Sequence, residues 1–116
     1  MSAQPDGLRI DTTTTGSGPV VRVTGEVDLR TSPQLRRQLL QLLEQRPQRL
    51  VVDLSQVGYM DSSGVGTMVE IKRRIERDGG EVILSGLQTR VRSIFEITQL
   101  DKFFRIVPSA DEVSGR

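Results

Sequence analysis

Short apolar segments alternate with amphipathic segments through most of the chain, and this alternation limits the folds open to it. Residues 50–54, 82–84 and 103–107 are apolar runs of the length expected for buried strands. Between them, apolar residues recur three or four positions apart, which is the spacing of a helix with one buried face. Strands that alternate with helices predict parallel strands joined by helical crossovers. We therefore predict an α/β fold.

Two further strands are predicted before the first of these runs. Residues 8–12 and 21–24 alternate apolar and polar side chains, and residues 16–19 (Gly-Ser-Gly-Pro) between them are typical of a turn. This pattern favours an antiparallel hairpin with one face toward water. With the later strands it gives a mixed β-sheet of about five strands, and we expect the helices mainly on one face of that sheet.

The start of the first helix has two interpretations. Ser32 is the N-cap if Pro33 takes the first helical position. Thr31 is the N-cap if Gln34 completes a capping box. The sequence leaves both open. Before the second helix we expect a loop over residues 55–60.

The chain has 116 residues, a length typical of one domain. We expect a flexible N-terminus at residues 1–7, one folded domain at 8–108 and a short polar tail at 109–116. No apolar stretch approaches the roughly 18 residues of a membrane span, and the N-terminus lacks the apolar core of a signal peptide. We therefore expect no membrane association and a cytoplasmic location.

Composition excludes several classes of function. The chain has no Cys and no His, which removes thiolate nucleophiles, Ser-His-Asp triads and the commonest metal ligands. A net charge of +1 and 3% aromatic residues argue against nucleic-acid binding, and we interpret the basic residues within 72–77 as a solvated helix face. No segment has the glycine pattern of a P-loop or a dinucleotide site. We expect no enzyme activity, no catalytic residue, no cofactor and no metal.

Polar side chains gather in two loops of the predicted sheet. Glu26, Asp28 and Thr31 follow one strand, and residues 61–63 (Asp-Ser-Ser) follow the next. Ligands and partners of parallel sheets meet the loops beyond the carboxyl ends of the strands. Because a right-handed crossover brings both loops to the same edge, we expect them to be neighbours.

Ser62 has two compatible interpretations. The commoner role for a serine at this position is to cap the second helix by accepting a hydrogen bond from a free backbone N–H group. As a modification site, its hydroxyl would stand beside the open backbone of Gly64 and Gly66, where a phosphate faces free N–H groups and the positive end of the helix dipole. Asp61 is able to cap the helix while Ser62 is modified. A catalytic pair of Asp53 with Asp61 is disfavoured, because Asp53 lies inside a predicted strand.

Five segments have a familiar arrangement: Gly-Glu-Val-Asp-Leu at 25–29, Leu-Val-Val-Asp-Leu at 50–54, Met-Asp-Ser-Ser-Gly-Val-Gly at 60–66, Gly-Gly at 79–80, and residues 95–104. With them the chain resembles the STAS domain, in particular the small anti-sigma factor antagonists of bacteria. The resemblance covers residues 8–108. Two departures stand out. Residues 98–100 read Thr-Gln-Leu where relatives often have Thr-Gly-Leu, and the end of the chain is short and polar where many have a longer apolar helix.

The resemblance implies a role in partner switching. Antagonists of this type bind an anti-sigma factor that is also an ATP-dependent serine kinase, and so free a sigma factor. The kinase phosphorylates the first serine of Asp-Ser-Ser-Gly, here Ser62, and a separate serine phosphatase reverses this. The implied partner-binding residues are Asp28, Thr31, Asp61, Ser62, Ser63 and Gly64.

Two other functions stay open. A STAS scaffold or transport-complex subunit would use the same fold as a docking module without a phosphoswitch, although the intact Asp-Ser-Ser-Gly at 61–64 disfavours this. A nucleotide-binding or hydrolytic domain is disfavoured by the missing P-loop and the missing His.

Overall fold

The computed structural model describes residues 7–113. Residues 1–6 of the flexible N-terminus expected at 1–7, and residues 114–116 of the polar tail expected at 109–116, lie outside the described part. The elements are β1 (Arg9–Thr15), β2 (Gly18–Val27), α1 (Ser32–Leu43), β3 (Arg49–Met60), α2 (Ser62–Arg77), β4 (Glu81–Ser85), α3 (Thr89–Ile97), β5 (Arg105–Val107) and a 3-10 turn (Ala110–Glu112).

The five strands form one mixed sheet in the order β1-β2-β3-β4-β5. β1 pairs with β2 antiparallel, and the other neighbours are parallel, which confirms the predicted α/β fold. Leu39 of α1, Met68 of α2 and Phe95 of α3 are fully buried in one apolar cluster. Leu50 and Val52 of β3 belong to the same cluster. The three helices therefore share a core on one face of the sheet, as predicted.

The opposite face of the sheet is covered near its centre by the end of the described chain. Val51 and Ile83 are buried but lie outside the main cluster, because side chains alternate between the faces of a strand. Ala110 and Val113 line a small apolar cleft together with Val51. The segment expected to be only a polar tail thus contributes a 3-10 turn and two apolar residues that line this cleft.

Neither predicted side-chain cap forms at the start of α1. Thr31 occupies the N-cap position and a proline follows in the first turn, but the Thr31 side chain makes no cap hydrogen bond. Gln34 does not complete a capping box either. Its side-chain amide accepts from the Leu8 N–H at 3.0 Å and donates to the Leu8 carbonyl at 2.9 Å. Because Leu8 is far away in sequence, a local pattern does not reveal this bond.

The loop predicted at residues 55–60 is wrong, because β3 continues to Met60. The second half of β3 pairs with β2, from Thr24 opposite Gln56 to Val27 opposite Met60. One register shift, between Arg22 and Thr24, separates this pairing from the regular first half, and a second lies within it, between Gly25 and Glu26. Backbone pairing with a neighbouring strand therefore extends a segment whose own sequence is weak for a strand.

α3 ends in the left-handed turn that is usually formed by glycine, although the residue at this position is Gln99. Gln99 has a φ of 62°, in the left-handed region. The N–H of Leu100 donates to the Phe95 carbonyl at 2.7 Å, and the Gln99 N–H donates to Glu96 at 3.0 Å. The departure at residues 98–100 thus changes the residue at the helix end and keeps the backbone turn that glycine favours.

Candidate functional site

β2 and β3 end side by side, and this places the two polar loops next to each other. Val27 and Met60 are paired as the last residues of the two strands. The Asp61 N–H then donates to the Val27 carbonyl at 3.1 Å. The predicted contact between the two loops is therefore confirmed. Glu26 lies within β2 and not in the loop that follows it.

Asp61 is the N-cap of α2. Its Oδ1 atom accepts from the Ser63 N–H at 2.9 Å and from the Gly64 N–H at 3.4 Å. The Ser63 hydroxyl donates to the same oxygen at 2.6 Å. We expected a phosphate on Ser62 to face free N–H groups, but these two are already bonded to Asp61. A phosphate there would instead share the helix start with a carboxylate.

Three hydroxyl side chains lie in the first two turns of α2, and they differ in accessibility. Ser62 is exposed, and its hydroxyl makes no hydrogen bond to any residue in 7–113. Ser63 is half-buried and bonded to Asp61. Thr67 is buried, and its hydroxyl donates to the Ser63 carbonyl at 3.0 Å. Ser62 is thus the one described hydroxyl of this helix start that is both exposed and unbonded.

The loop after β2 is built around Asp28. Its Oδ1 atom accepts from the N–H groups of Arg30 at 2.9 Å and Thr31 at 3.1 Å. The Arg30 guanidinium lies 3.6 Å from the other carboxylate oxygen. Desolvation raises the pKa of Asp28, but the hydrogen bonds from Thr31 and Arg30 and the charge of Arg30 outweigh it and hold the pKa below its ordinary value. Asp28 is therefore a half-buried, ionised group at this edge.

Two of the predicted site residues are buried, and they stabilise the conformation of the two loops. Thr31 is 4% exposed, and its hydroxyl is directed at the backbone of the Asp28 loop. Gly64 is also buried, and a Cβ atom there would lie 2.6 Å from Met60 and 2.7 Å from Val27. Any role of these residues in partner binding would therefore act through the positions of their neighbours.

Two exposed apolar side chains at this edge were missed in the sequence. Leu29, next to Asp28, is 77% exposed, and Tyr59, near the end of β3, is 40% exposed. Tyr59 is paired with Glu26 across the strands that carry the two loops. Exposed apolar side chains with a polar rim are typical of protein-binding surfaces. Leu29 could have been identified in the sequence as an apolar residue in a polar loop. Tyr59 could not, because its segment is predicted as a loop and not as the end of a strand.

Asp53 lies far from this edge. It precedes Asp61 by eight residues along an extended strand, which is roughly 26 Å at 3.3 Å per residue. Its carboxylate accepts from the Ser55 N–H at 2.9 Å and pairs with Arg22 at 3.2 Å. Burial raises the pKa of Asp53, but the bonds from Ser55 and Arg22 lower it below its ordinary value. Asp53 thus has a structural pairing and does not meet Asp61.

Each helix within residues 7–113 is too short or too polar to span a lipid bilayer. In the same residues, no three acidic side chains converge as metal ligands would.

The comparisons with known proteins agree with one another. The profile of the STAS domain family matches residues 9–113. The anti-sigma-B factor antagonist of Staphylococcus aureus is 32% identical over 99 residues, which is 85% of this chain and 92% of that protein. The protein of the same name in Bacillus subtilis is 38% identical over 80 residues, 69% of this chain and 72% of the relative.

A solved structure is similar over almost its full length. The crystal structure of an anti-sigma factor antagonist from Mycobacterium paratuberculosis has a TM-score of 0.85 to this chain at 26% identity. The similarity covers 95% of this chain and 93% of the other. The match to the family profile spans every strand and helix given above.

Proposed function

The chain belongs to the STAS-domain family of anti-sigma factor antagonists, and from this membership we propose that it binds an anti-sigma factor that is also a serine kinase. Binding releases the sigma factor that the anti-sigma factor holds. Phosphorylation of Ser62 by the bound kinase reverses the binding, and a separate serine phosphatase restores the active form.

The observation that carries this proposal is the accessibility of the Ser62 hydroxyl. Phosphoryl transfer requires the acceptor oxygen to lie in line with the terminal phosphate of ATP. The exposed and unbonded hydroxyl of Ser62 supports this approach. The Ser63 hydroxyl would first have to leave its 2.6 Å hydrogen bond to Asp61. The kinase supplies nucleotide, Mg²⁺ and base, so the missing His of the substrate protein is no obstacle.

The charge at this edge supports a switch by repulsion. A phosphate adds about −1.5 to −2 charges at neutral pH. It would join the carboxylates of Asp61 and Asp28, and the lowered pKa of Asp28 keeps that group ionised. A partner surface that fits the unmodified edge would then face this added negative charge, and a like-charge mismatch at an interface costs several kcal/mol. A loss of about 3 kcal/mol weakens binding by roughly two decades, which is sufficient for a switch.

The same geometry leaves the fold intact after modification. Asp61, not Ser62, makes the cap hydrogen bonds of α2. The Ser62 hydroxyl makes no hydrogen bond that a phosphate would break within residues 7–113. The effect of the phosphate therefore falls on docking and not on folding.

The partner-binding surface that we propose has two kinds of residue. Asp28, Asp61 and Ser62 provide polar groups at the edge, and the exposed side chains of Leu29 and Tyr59 add apolar area beside them. Thr31, Ser63 and Gly64 hold these groups in place through their hydrogen bonds and close packing.

The test is incubation with the anti-sigma factor kinase of the same genome and ATP-Mg, followed by peptide mapping. We expect one phosphate, on Ser62. Ser62→Ala should bind the kinase and stay unmodified, whereas the matched control Ser63→Ala should still be phosphorylated. A phosphate on Ser63 or Thr67 would refute the site assignment.

The second part of the test measures binding of the charged variant. Ser62→Asp should bind the anti-sigma factor at least tenfold more weakly than Ser62→Ala, with an unchanged unfolding temperature. Equal binding of the two variants would instead favour a docking module without a phosphoswitch, such as a scaffold or transport-complex subunit.

A further inference from the structure

We propose that the docking surface continues from Ser62 along the outward face of α2 to Arg77, and that its basic half binds an acidic segment of the same partner. This inference rests on the proposed function and adds a second contact region to it. The partner segment is defined by its chemistry: consecutive or clustered Asp and Glu side chains.

The outward face of α2 is continuous from the modification site to the basic residues. Ser62, Gly66, Val69 and Arg73 follow one another at intervals of four, three and four residues, so they lie on one side of the helix. Ser62, Gly66 and Arg73 are exposed, and Val69 is half-buried. The opposite side carries the buried residues Met68, Ile71 and Ile75. Ser62 and Arg73 are about 16 Å apart along the helix at 1.5 Å per residue.

Gly66 leaves a gap in the middle of this face. Beyond the adjoining residues and backbone of α2 itself, no atom of residues 7–113 would lie within 4 Å of a Cβ atom added there. Glycine inside a helix costs about 1 kcal/mol relative to alanine, and packing against the described part of the chain does not require it at this position. The gap lets another molecule approach the helix backbone between Ser62 and Arg73.

The far half of the face is an open groove with a positive charge. Its lining includes Glu70, Arg73, Arg74 and Arg77. Glu70 is already neutralised by two arginines: Arg36 forms a paired contact with it at 2.7 and 2.8 Å, and Arg74 lies at 3.3 Å. The hydrogen bond from Arg36 holds the pKa of Glu70 below its ordinary value, so this carboxylate stays ionised and paired.

Two arginines of the groove are not paired with an acidic side chain of residues 7–113. Arg73 and Arg77 form no ion pair with any residue in 7–113. The other acidic side chain of the helix, Glu76, is paired with Lys72. The groove and its neighbour Arg36 therefore hold four arginines and one glutamate, a net charge of +3.

The distribution of charge favours an acidic protein segment over nucleic acid. The Ser62 end of the face carries the carboxylates of Asp28 and Asp61, and these would repel a phosphate backbone laid along α2. The chain as a whole has a net charge of only +1. A protein that covers Ser62 and follows the helix needs acidic side chains only where Arg73 and Arg77 lie.

The test compares association rates with the anti-sigma factor kinase at low and physiological salt. Arg73→Glu should slow association about tenfold and reduce its salt dependence, because charges at the rim of an interface act mainly on the association rate. Lys102→Glu makes the same change of charge at an exposed position outside the groove, and it should stay within twofold of wild type. Unfolding temperatures of both variants establish that they are folded.

The outcomes separate this inference from the proposed function. Wild-type protein that binds no anti-sigma factor would overturn the proposed function and this extension together. Normal wild-type binding with an unaffected Arg73→Glu variant would overturn the extension alone. Binding to a DNA duplex that Arg73→Glu abolishes, with anti-sigma factor binding unchanged, would also overturn it and assign the groove to nucleic acid.

Discussion

Asp28 and Thr31 are joined by reciprocal hydrogen bonds. The Asp28 N–H donates to the Thr31 hydroxyl at 3.0 Å, and the Thr31 N–H donates to the Asp28 carboxylate at 3.1 Å. The Thr31 hydroxyl also donates to the Glu26 carbonyl at 2.7 Å. One buried hydroxyl therefore fixes the loop that carries the ionised carboxylate and the exposed side chain of Leu29.

Thr31→Val should loosen this loop. The substitution keeps the branched shape, leaves the Asp28 N–H and the Glu26 carbonyl without their partner, and should lower the free energy of unfolding by about 1–2 kcal/mol. Urea unfolding measures this loss, and anti-sigma factor binding should weaken with it. Thr31→Ser, which keeps the hydroxyl, is the control. Wild-type stability in Thr31→Val would contradict the role assigned to the hydroxyl.

The two glycines that follow Ser62 should respond to alanine in opposite ways. Gly64→Ala places a methyl group against Met60 and Val27 and should destabilise the fold by about 1–3 kcal/mol. Gly66→Ala adds a methyl group in open space and should stabilise it by about 0.5–1 kcal/mol. Thermal unfolding distinguishes the two. If Gly66 leaves room for a partner, its alanine variant should also bind the anti-sigma factor less tightly while being more stable.

Gln99→Gly should stabilise the protein. Gln99 has a φ of 62°, which costs a residue with a Cβ atom more than it costs glycine. We expect a gain of about 0.5–1 kcal/mol in the free energy of unfolding, reduced by the greater freedom of glycine in the unfolded chain. The matched control is Gln56→Gly in β3, which should be destabilising. A lower unfolding temperature for Gln99→Gly would show that the left-handed turn is not strained.

Acid should weaken the protein partly through Asp53. The pKa of this carboxyl is lower in the folded chain than its ordinary value, so the unfolded state binds protons first as the pH falls. The stability from Asp53 is therefore complete above about pH 4, its ordinary pKa, and is lost as the pH falls through the folded pKa. Urea unfolding should show that wild type has a higher free energy of unfolding than Asp53→Asn at neutral pH, and that this difference decreases below about pH 4.

Arg22→Gln is the companion variant for this prediction. It removes the charge at 3.2 Å and leaves the hydrogen bonds from Ser55, so it should lose only part of the pH-dependent stability. A difference between wild type and Asp53→Asn that is constant from neutral to acid pH would contradict the assigned pairing.

Elements fixed by local chemistry were predictable from the sequence, and elements fixed by distant contacts were not. The start of α2 follows from Asp61, whose carboxylate bonds N–H groups two and three residues ahead. The last six residues of β3 follow from pairing with β2. The Gln34 side chain bonds the backbone of Leu8, 26 residues away, and therefore does not complete a capping box. Neither long-range contact leaves a pattern in the nearby sequence.

The candidate site divides in the same way. The meeting of the two loops follows from the order of strands, because parallel neighbours end at one edge of the sheet. The difference between Ser62 and Ser63 does not, since both are hydroxyls at a helix start. It depends on the bond from Ser63 to Asp61 and on the exposure of Ser62. The exposed side chain of Tyr59 is not predictable in the same way, because its segment is part of a strand only through pairing with β2.

The hydrogen bond from the Asp61 N–H to the Val27 carbonyl has a consequence for timing. It joins Asp61, the residue before α2, to the last residue of β2, so Ser62 follows a helix start that is anchored to the sheet. We expect phosphorylation and dephosphorylation of Ser62 to require no refolding of either loop. The speed of the response would then belong to the enzymes and to partner dissociation, and the duration of the signal would be a property of the phosphatase.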